Sequence, residues 1–151
     1  PAFTGLGAPY WDMNVRGIIT GLTRGSNSSH IVRAALESIA LQVKDILDAI
    51  FQDLDINLPI LKVDGGACAN NFLMQFQADI IQGTIDRPVN IESTALGAGM
   101  LAGLAIGFWS NSRELQNVRK TDMLFTDKMT NAERSALLEA WKTAVTQARR
   151  I

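Results

Sequence analysis

The residues that decide the fold are Ile60-Leu61-Lys62-Val63-Asp64-Gly65-Gly66-Ala67-Cys68-Ala69-Asn70-Asn71, an apolar run that ends in Asp-Gly-Gly and opens directly into an amphipathic segment. The order reads as strand, tight turn and helix, the building unit of an α/β domain. Adjacent glycines free the backbone to take positive φ and remove the Cβ atoms that would hold a ligand away from the main chain. The first amides of the following helix lack intrahelical partners and carry the positive end of its dipole, so an anion such as a phosphate is favoured there. Asn70, about one turn into that helix, offers an amide to a ribose or a base. The same residues also fit a plain strand-to-helix turn in which Gly65 and Gly66 only relieve crowding, and the local pattern does not choose between the two.

Working outward, the chain of 151 residues suits one domain with a substantial core. Hydrophobic residues at 47% and charged residues at 19% exclude a disordered chain, and a formal net charge of -1 gives no electrostatic case for nucleic acid. The lone cysteine, Cys68, forms no internal disulfide, and with the lone histidine, His30, it makes no Cys/His metal constellation. A reducing compartment, and so a cytoplasmic location, is expected. No basic-then-apolar leader is visible, and the opening Pro1-Ala2-Phe3-Thr4-Gly5 reads as the start of a piece cut from a longer protein.

Along the chain, Pro1 to Asn14 reads as an ordered loop pinned by aromatic rings, and Arg16 to Leu22 as a short strand. Ser28 or Ser29 is expected to cap a long helix that runs to Leu54 with Ile31, Ala35, Ile39, Val43, Ile46, Leu47 and Ile50 on its apolar side. His30, without a nearby nucleophile or second histidine, reads as structural. A turn at Pro59 precedes the Ile60 strand; the helix after that strand and its Gly-Gly turn stops at Gly83; and Thr84 to Ile91 reads as an edge strand because Pro88 interrupts it. Ser93 or Thr94 then opens a helix through Trp109 that has almost no polar side chain. It is shorter than the roughly 20 residues a bilayer span requires, and its row of Ala95, Gly99, Gly103 and Gly107 predicts a helix buried on nearly every side rather than a membrane segment. Asn111 to Val118 reads as a short polar helix and Arg119 to Met129 as irregular. Thr130-Asn131-Ala132-Glu133 matches a capping box, opening a last helix with Leu137, Trp141, Val145 and Ala148 on one side.

Gly17-Ile18-Ile19-Thr20-Gly21-Leu22, followed after seven residues by His30-Ile31-Val32-Arg33-Ala34-Ala35-Leu36-Glu37, resembles the second signature of the FGGY carbohydrate kinases. Three further stretches are similar to the glycerol-phosphorylating members of that family: Pro1 to Asp12, with its Gly-Ala-Pro-Tyr-Trp loop; Val63 to Gln77; and Thr94 to Trp109. The similarity covers nearly the whole chain and weakens after about Arg119.

The resemblance implies an α/β chain that is part of an actin-like ATPase (ribonuclease H-like) domain, strands with several packed helices. Residues 1–151 would be the C-terminal part of the second, nucleotide-side domain, with the N-terminal domain absent. It also implies an adenosine motif at Asp64-Gly65-Gly66-Ala67, so that Gly65, Gly66 and Ala67 lie against the nucleotide and Asn70 reaches its ribose or adenine side. ATP or ADP with Mg2+ is the implied cofactor, glycerol the implied substrate, and a homo-oligomer with neither membrane nor nucleic-acid partner the implied state. In the family the catalytic aspartate, the polyol-binding residues and the phosphate-binding hairpins belong to sequence before Pro1. No catalytic residue and no metal ligand is therefore expected here, and the piece alone is expected to be inactive, because phosphoryl transfer requires nucleophile, γ-phosphate and cation to be placed together. Asp64 is read as ordering its turn and Cys68 as a packed small side chain. A pentulose kinase and a non-catalytic actin-like nucleotide-binding module stand as alternatives.

Overall fold

The computed structural model describes residues 1–54 and 60–150; the turn expected at Pro59 lies outside them. The Ile60 run forms β1 (Ile60–Lys62), the chain returns through α2 (Asn71–Ile81), and β2 (Thr84–Pro88) lies parallel beside β1 with Leu61 opposite Ile85. This is the crossover that a strand-turn-helix-strand order produces, because parallel neighbours cannot be joined by a tight hairpin. α2 buries Leu73, Met74, Phe76, Ala78 and Ile80 against β2 and against α1 (Ser28–Leu54), whose buried residues are Ala40, Leu41 and Leu47. Ile80 and Ile85 are fully enclosed at the centre of this core.

Several expectations change in the structure. β2 is the central strand of three rather than an edge, because β3 (Thr121–Phe125) pairs antiparallel on its other side, within the segment expected to be irregular. Pro88 is tolerated there because it sits at the end of β2, where the register slips. Residues 16–22 form no strand: among the described residues nothing pairs with them, and Ile19 and Leu22 are exposed. Asn27, rather than Ser28 or Ser29, caps α1, its Oδ1 accepting the amides of Ser29 and His30. His30 Nδ1 in turn accepts the Asn27 amide, a structural role as expected. The apolar stripe expected on α1 is largely open, with Ile31, Ile39, Ile46, Ile50 and Leu54 exposed, as is Val32 beside it. α2 ends with Gln82 in the left-handed region while the Gly83 amide bonds Ala78 O, so the stop falls one residue early.

The apolar helix, α3 (Ser93–Ala105), is the largest departure. It buries only Gly103, and Leu101 and Ile106 are 70% and 82% exposed. It ends before Trp109 because Gly107, at φ 76, turns the chain back. The Trp109 ring then lies where a Cβ on Gly103 would stand. The polar stretch after it contains one 3-10 turn, Glu114–Asn117. Among the described residues no helix is long and apolar enough to cross a membrane.

The capping box forms as expected at the start of α4 (Asn131–Ala148), Thr130 and Glu133 satisfying one another's amides. Val145 and Ala148 pack with Ala2, Leu6 and Val15 in a second cluster; of the rings expected to pin residues 1–14 only Tyr10 joins it, while Phe3 and Trp11 are exposed, so aliphatic side chains hold the loop instead. Asp45 of α1 joins the pieces: one carboxylate oxygen accepts both the Tyr10 hydroxyl at 2.8 Å and the Trp141 indole N–H at 2.7 Å. Burial nonetheless leaves its pKa raised, because two neutral donors do not replace the water it has lost.

Asp86, on β2, behaves oppositely. Burial alone would raise its carboxyl, but hydrogen bonds from Arg119 at 2.7 Å and Thr121 at 2.9 Å, with the nearby positive charge, hold it below the ordinary range. A carboxylate with a lowered folded-state pKa contributes stability above its unfolded value, near about 4, and loses it as pH falls through the folded value. Thermal midpoints of the chain between pH 5 and pH 2 should therefore fall less steeply in Asp86→Asn than in the parent. Parallel curves would show that Asp86 is not the group responsible.

Candidate nucleotide-side turn

The site begins where β1 ends. The Val63 amide donates to Asp86 O at 3.2 Å, one step beyond the β1 pairing, and the Gly65 amide donates to Ile91 O at 2.8 Å. Between them the strand leaves the sheet. Gly65 takes φ 78 and ψ 166, a combination open essentially only to glycine. Gly66–Ala69 then form a single 3-10 turn, closed by the Cys68 amide on Gly65 O at 3.1 Å and the Asn70 amide on Ala67 O at 3.2 Å.

The turn has an inner and an outer side. Cys68 points inward and is 1% exposed; burial pushes its thiol pKa up, so it is a packed side chain as read and not an activated nucleophile. Gly66, Ala67 and Asn70 are exposed on the outer side and Gly65 is half-buried. Among the described residues, a Cβ built on Gly65 or Gly66 would meet no heavy atom within 4 Å beyond its own chain neighbours, so the main chain there is open. The four residues picked from the sequence thus lie together on one short turn.

Asn70 has a second task. Its Oδ1 accepts the Leu73 amide at 3.1 Å and caps α2, which fixes the side chain and leaves its Nδ2 donors for another group. Asp64 departs from expectation: it is exposed and makes no hydrogen bond to the turn among the described residues. The ordering is done instead by Ile91 O and by Arg87 of β2, to which the sequence reading gave no role. Its signal was an arginine beside Asp86 within a short strand that is otherwise buried. Two surface hollows lie elsewhere: one of about 300 Å³ between the start of α3 and Arg119, and one of about 490 Å³ between the start of α1 and Phe72.

The strand-turn-helix-strand order with a parallel pair is that of an α/β domain, and the comparison of sequences gives its class. The chain belongs to the FGGY family of carbohydrate kinases, whose C-terminal domain matches residues 1–106. Within that family it is 57% identical over 148 residues to the glycerol kinase of Alkaliphilus metalliredigens, covering 98% of this chain and 30% of that protein. It is 59% identical over 149 residues to the glycerol kinase of Petrotoga mobilis, with 99% and 30% covered. The structure superposes on Plasmodium falciparum glycerol kinase, solved with ADP, at a TM-score of 0.85 and 39% identity, over 98% of this chain and 30% of that one. Ligand-bound xylulose kinase from Lactobacillus acidophilus follows at 0.75 and 25%, over 99% and 30%. The chain thus spans about 30% of the length of the curated relatives it matches, and its fold is that of the actin-like ATPase neighbours, as expected.

Proposed function

We propose that residues 1–151 form the nucleotide-side part of an ATP-dependent glycerol kinase, in the C-terminal portion of its second domain, and that Gly65, Gly66, Ala67 and Asn70 form one wall of the adenosine site. The observation that carries the reading is the open glycine turn: Gly65 in a conformation that other residues avoid, with nothing in front of Gly65 or Gly66. The similarity to a glycerol kinase solved with ADP supports a nucleotide as the ligand. Identities of 57% and 59% to glycerol kinases, against 25% to xylulose kinase, favour glycerol over a pentulose.

Bound ATP supplies the γ-phosphoryl group, with Mg2+ neutralising its charge. This chain's part is to hold and orient. The exposed backbone at Gly66 and Ala67 admits a flat or sugar surface at van der Waals distance, and the pre-set Asn70 Nδ2 donates to a ribose or base acceptor without further ordering cost. Among the described residues no cluster of three or more His, Cys, Asp or Glu side chains could hold a metal, and none of these residues is assigned to the cation. The catalytic carboxylate and the polyol pocket belong, on this reading, to the remaining portion of a full-length kinase. The reading extends to a cytoplasmic homo-oligomer; the buried free thiol of Cys68 and the open apolar stripe of α1 are its support.

Turnover of a substrate panel by the full-length kinase with MgATP tests the assignment. Glycerol should be phosphorylated with kcat/KM at least about tenfold above that for any ketopentose, the margin a few hydroxyl contacts provide. Equal or better turnover of a ketopentose would remove glycerol as the substrate.

A further inference from the structure

Arg87 lies inside β2 with its side chain 11% exposed, and its guanidinium is divided between two tasks. Nε and Nη2 both reach Asp122 of β3 at 2.8 Å. Nη1 turns the other way and donates to Asn71 Oδ1 at 2.7 Å, to Cys68 O at 3.2 Å and to Ala69 O at 3.4 Å. The Phe125 ring, 5.2 Å from Cζ, supports it from one side.

Cys68 and Ala69 close the 3-10 turn that begins at Gly66, and carbonyls at the end of such a turn have no partners within it. A cation is favoured there by the local dipole, and this one is itself held by a carboxylate on the neighbouring strand. The turn is therefore pinned at both ends: in front by the Gly65 amide on Ile91 O, behind by Arg87. Gly66 and Ala67, exposed between the two pins, receive their position from them.

We propose that Arg87, oriented by Asp122, is the positioning residue of the nucleotide wall: it sets where Gly66 and Ala67 stand without touching the ligand. The inference rests on the nucleotide reading of the turn. Lysine cannot replace it, because a single ammonium on a flexible stem cannot reach Asp122 and the turn carbonyls at once in fixed geometry. A turn displaced by a fraction of an ångström would weaken nucleotide contacts and leave the polyol site alone.

In the full-length kinase, Arg87→Lys should raise KM for ATP about tenfold while KM for glycerol stays within about twofold. Asp122→Asn, on an exposed strand where folding is less at risk, should raise KM for ATP about threefold, and the two changes combined should cost less than their product because both act through one contact. A purely structural role would move both KM values or the thermal midpoint with neither KM. Should Arg87→Lys fail to fold, Asp122→Asn decides alone. An unmodified enzyme whose rate does not saturate with ATP would overturn the nucleotide reading itself. Saturation by ATP with both variants within twofold of the parent, or with both KM values rising together, would overturn the role of Arg87 only.

Discussion

Gly66→Val in the full-length kinase is expected to raise KM for ATP by about two orders of magnitude, equivalent to about 2.7 kcal/mol of lost binding, while KM for glycerol changes little. The argument turns on which side of Gly66 is empty. A Cβ there meets no protein atom within 4 Å, and the residue is exposed on a turn held by neighbours rather than by its own contacts. The branched side chain therefore costs the fold little beyond its χ1 restriction and enters the space assigned to adenosine. Gly66→Ala, smaller by two methyl groups, should lie between parent and valine. Gly65 is unsuited to the same experiment, since at φ 78 any side chain strains the backbone whatever the ligand does. Equal rises in both KM values for Gly66→Val would make the glycine structural and leave the wall without its central residue.

The second large effect is a loss. The isolated 151-residue chain should phosphorylate no glycerol above a no-protein blank and should bind ADP with Mg2+ only weakly in a calorimetric titration. On the proposed reading its turn contributes one wall, and among the described residues Asp64 beside that turn is exposed without a hydrogen-bond partner while Asp45 and Asp86 are committed to Tyr10 and Trp141 and to Arg119 and Thr121. A sizing run should show self-association, because Ile31, Val32, Ile39, Ile46 and Ile50 on α1 and Leu101, Ile106 and Phe108 in and beyond α3 lie open. Measurable turnover would contradict the view that the catalytic base lies outside these residues. A monomer with tight ADP binding would show a more self-sufficient domain than the exposed surface suggests.

The parts of the fold that were legible in the sequence are those set by local chemistry. Gly65-Gly66 after an apolar run marked the turn, and Thr130 with Glu133 marked α4, because each acts within a few residues of itself; the helix expected directly after Gly66 begins only at Asn71, since a 3-10 turn intervenes and Asn70 is the cap rather than a residue one turn in. What was not legible depends on distant partners. β3 carries little alternation of its own and is set by its antiparallel backbone ladder with β2, to which Thr121 on Asp86 and Arg87 on Asp122 add side-chain contacts between residues 35 apart. Residues 16–22 have strand-like composition, but no strand among the described residues pairs with them. α3 was read as buried because its side chains are apolar, yet hydrophobicity records a need for cover, and the described residues do not supply it. The candidate site divides in the same way: Gly65, Gly66, Ala67 and Asn70 are contiguous and were visible, whereas Arg87 enters from another strand and only the tertiary structure brings it to the turn.

The most direct test of the nucleotide wall is amide hydrogen exchange of the full-length kinase with and without ADP and Mg2+. Peptides spanning Gly65 to Asn71 should exchange markedly more slowly with the nucleotide bound, and peptides covering the exposed end of α3, from Leu101 to Phe108, should not change. An enzyme that turns over ATP while its Gly65 to Asn71 amides exchange at the same rate with and without ADP would contradict the account.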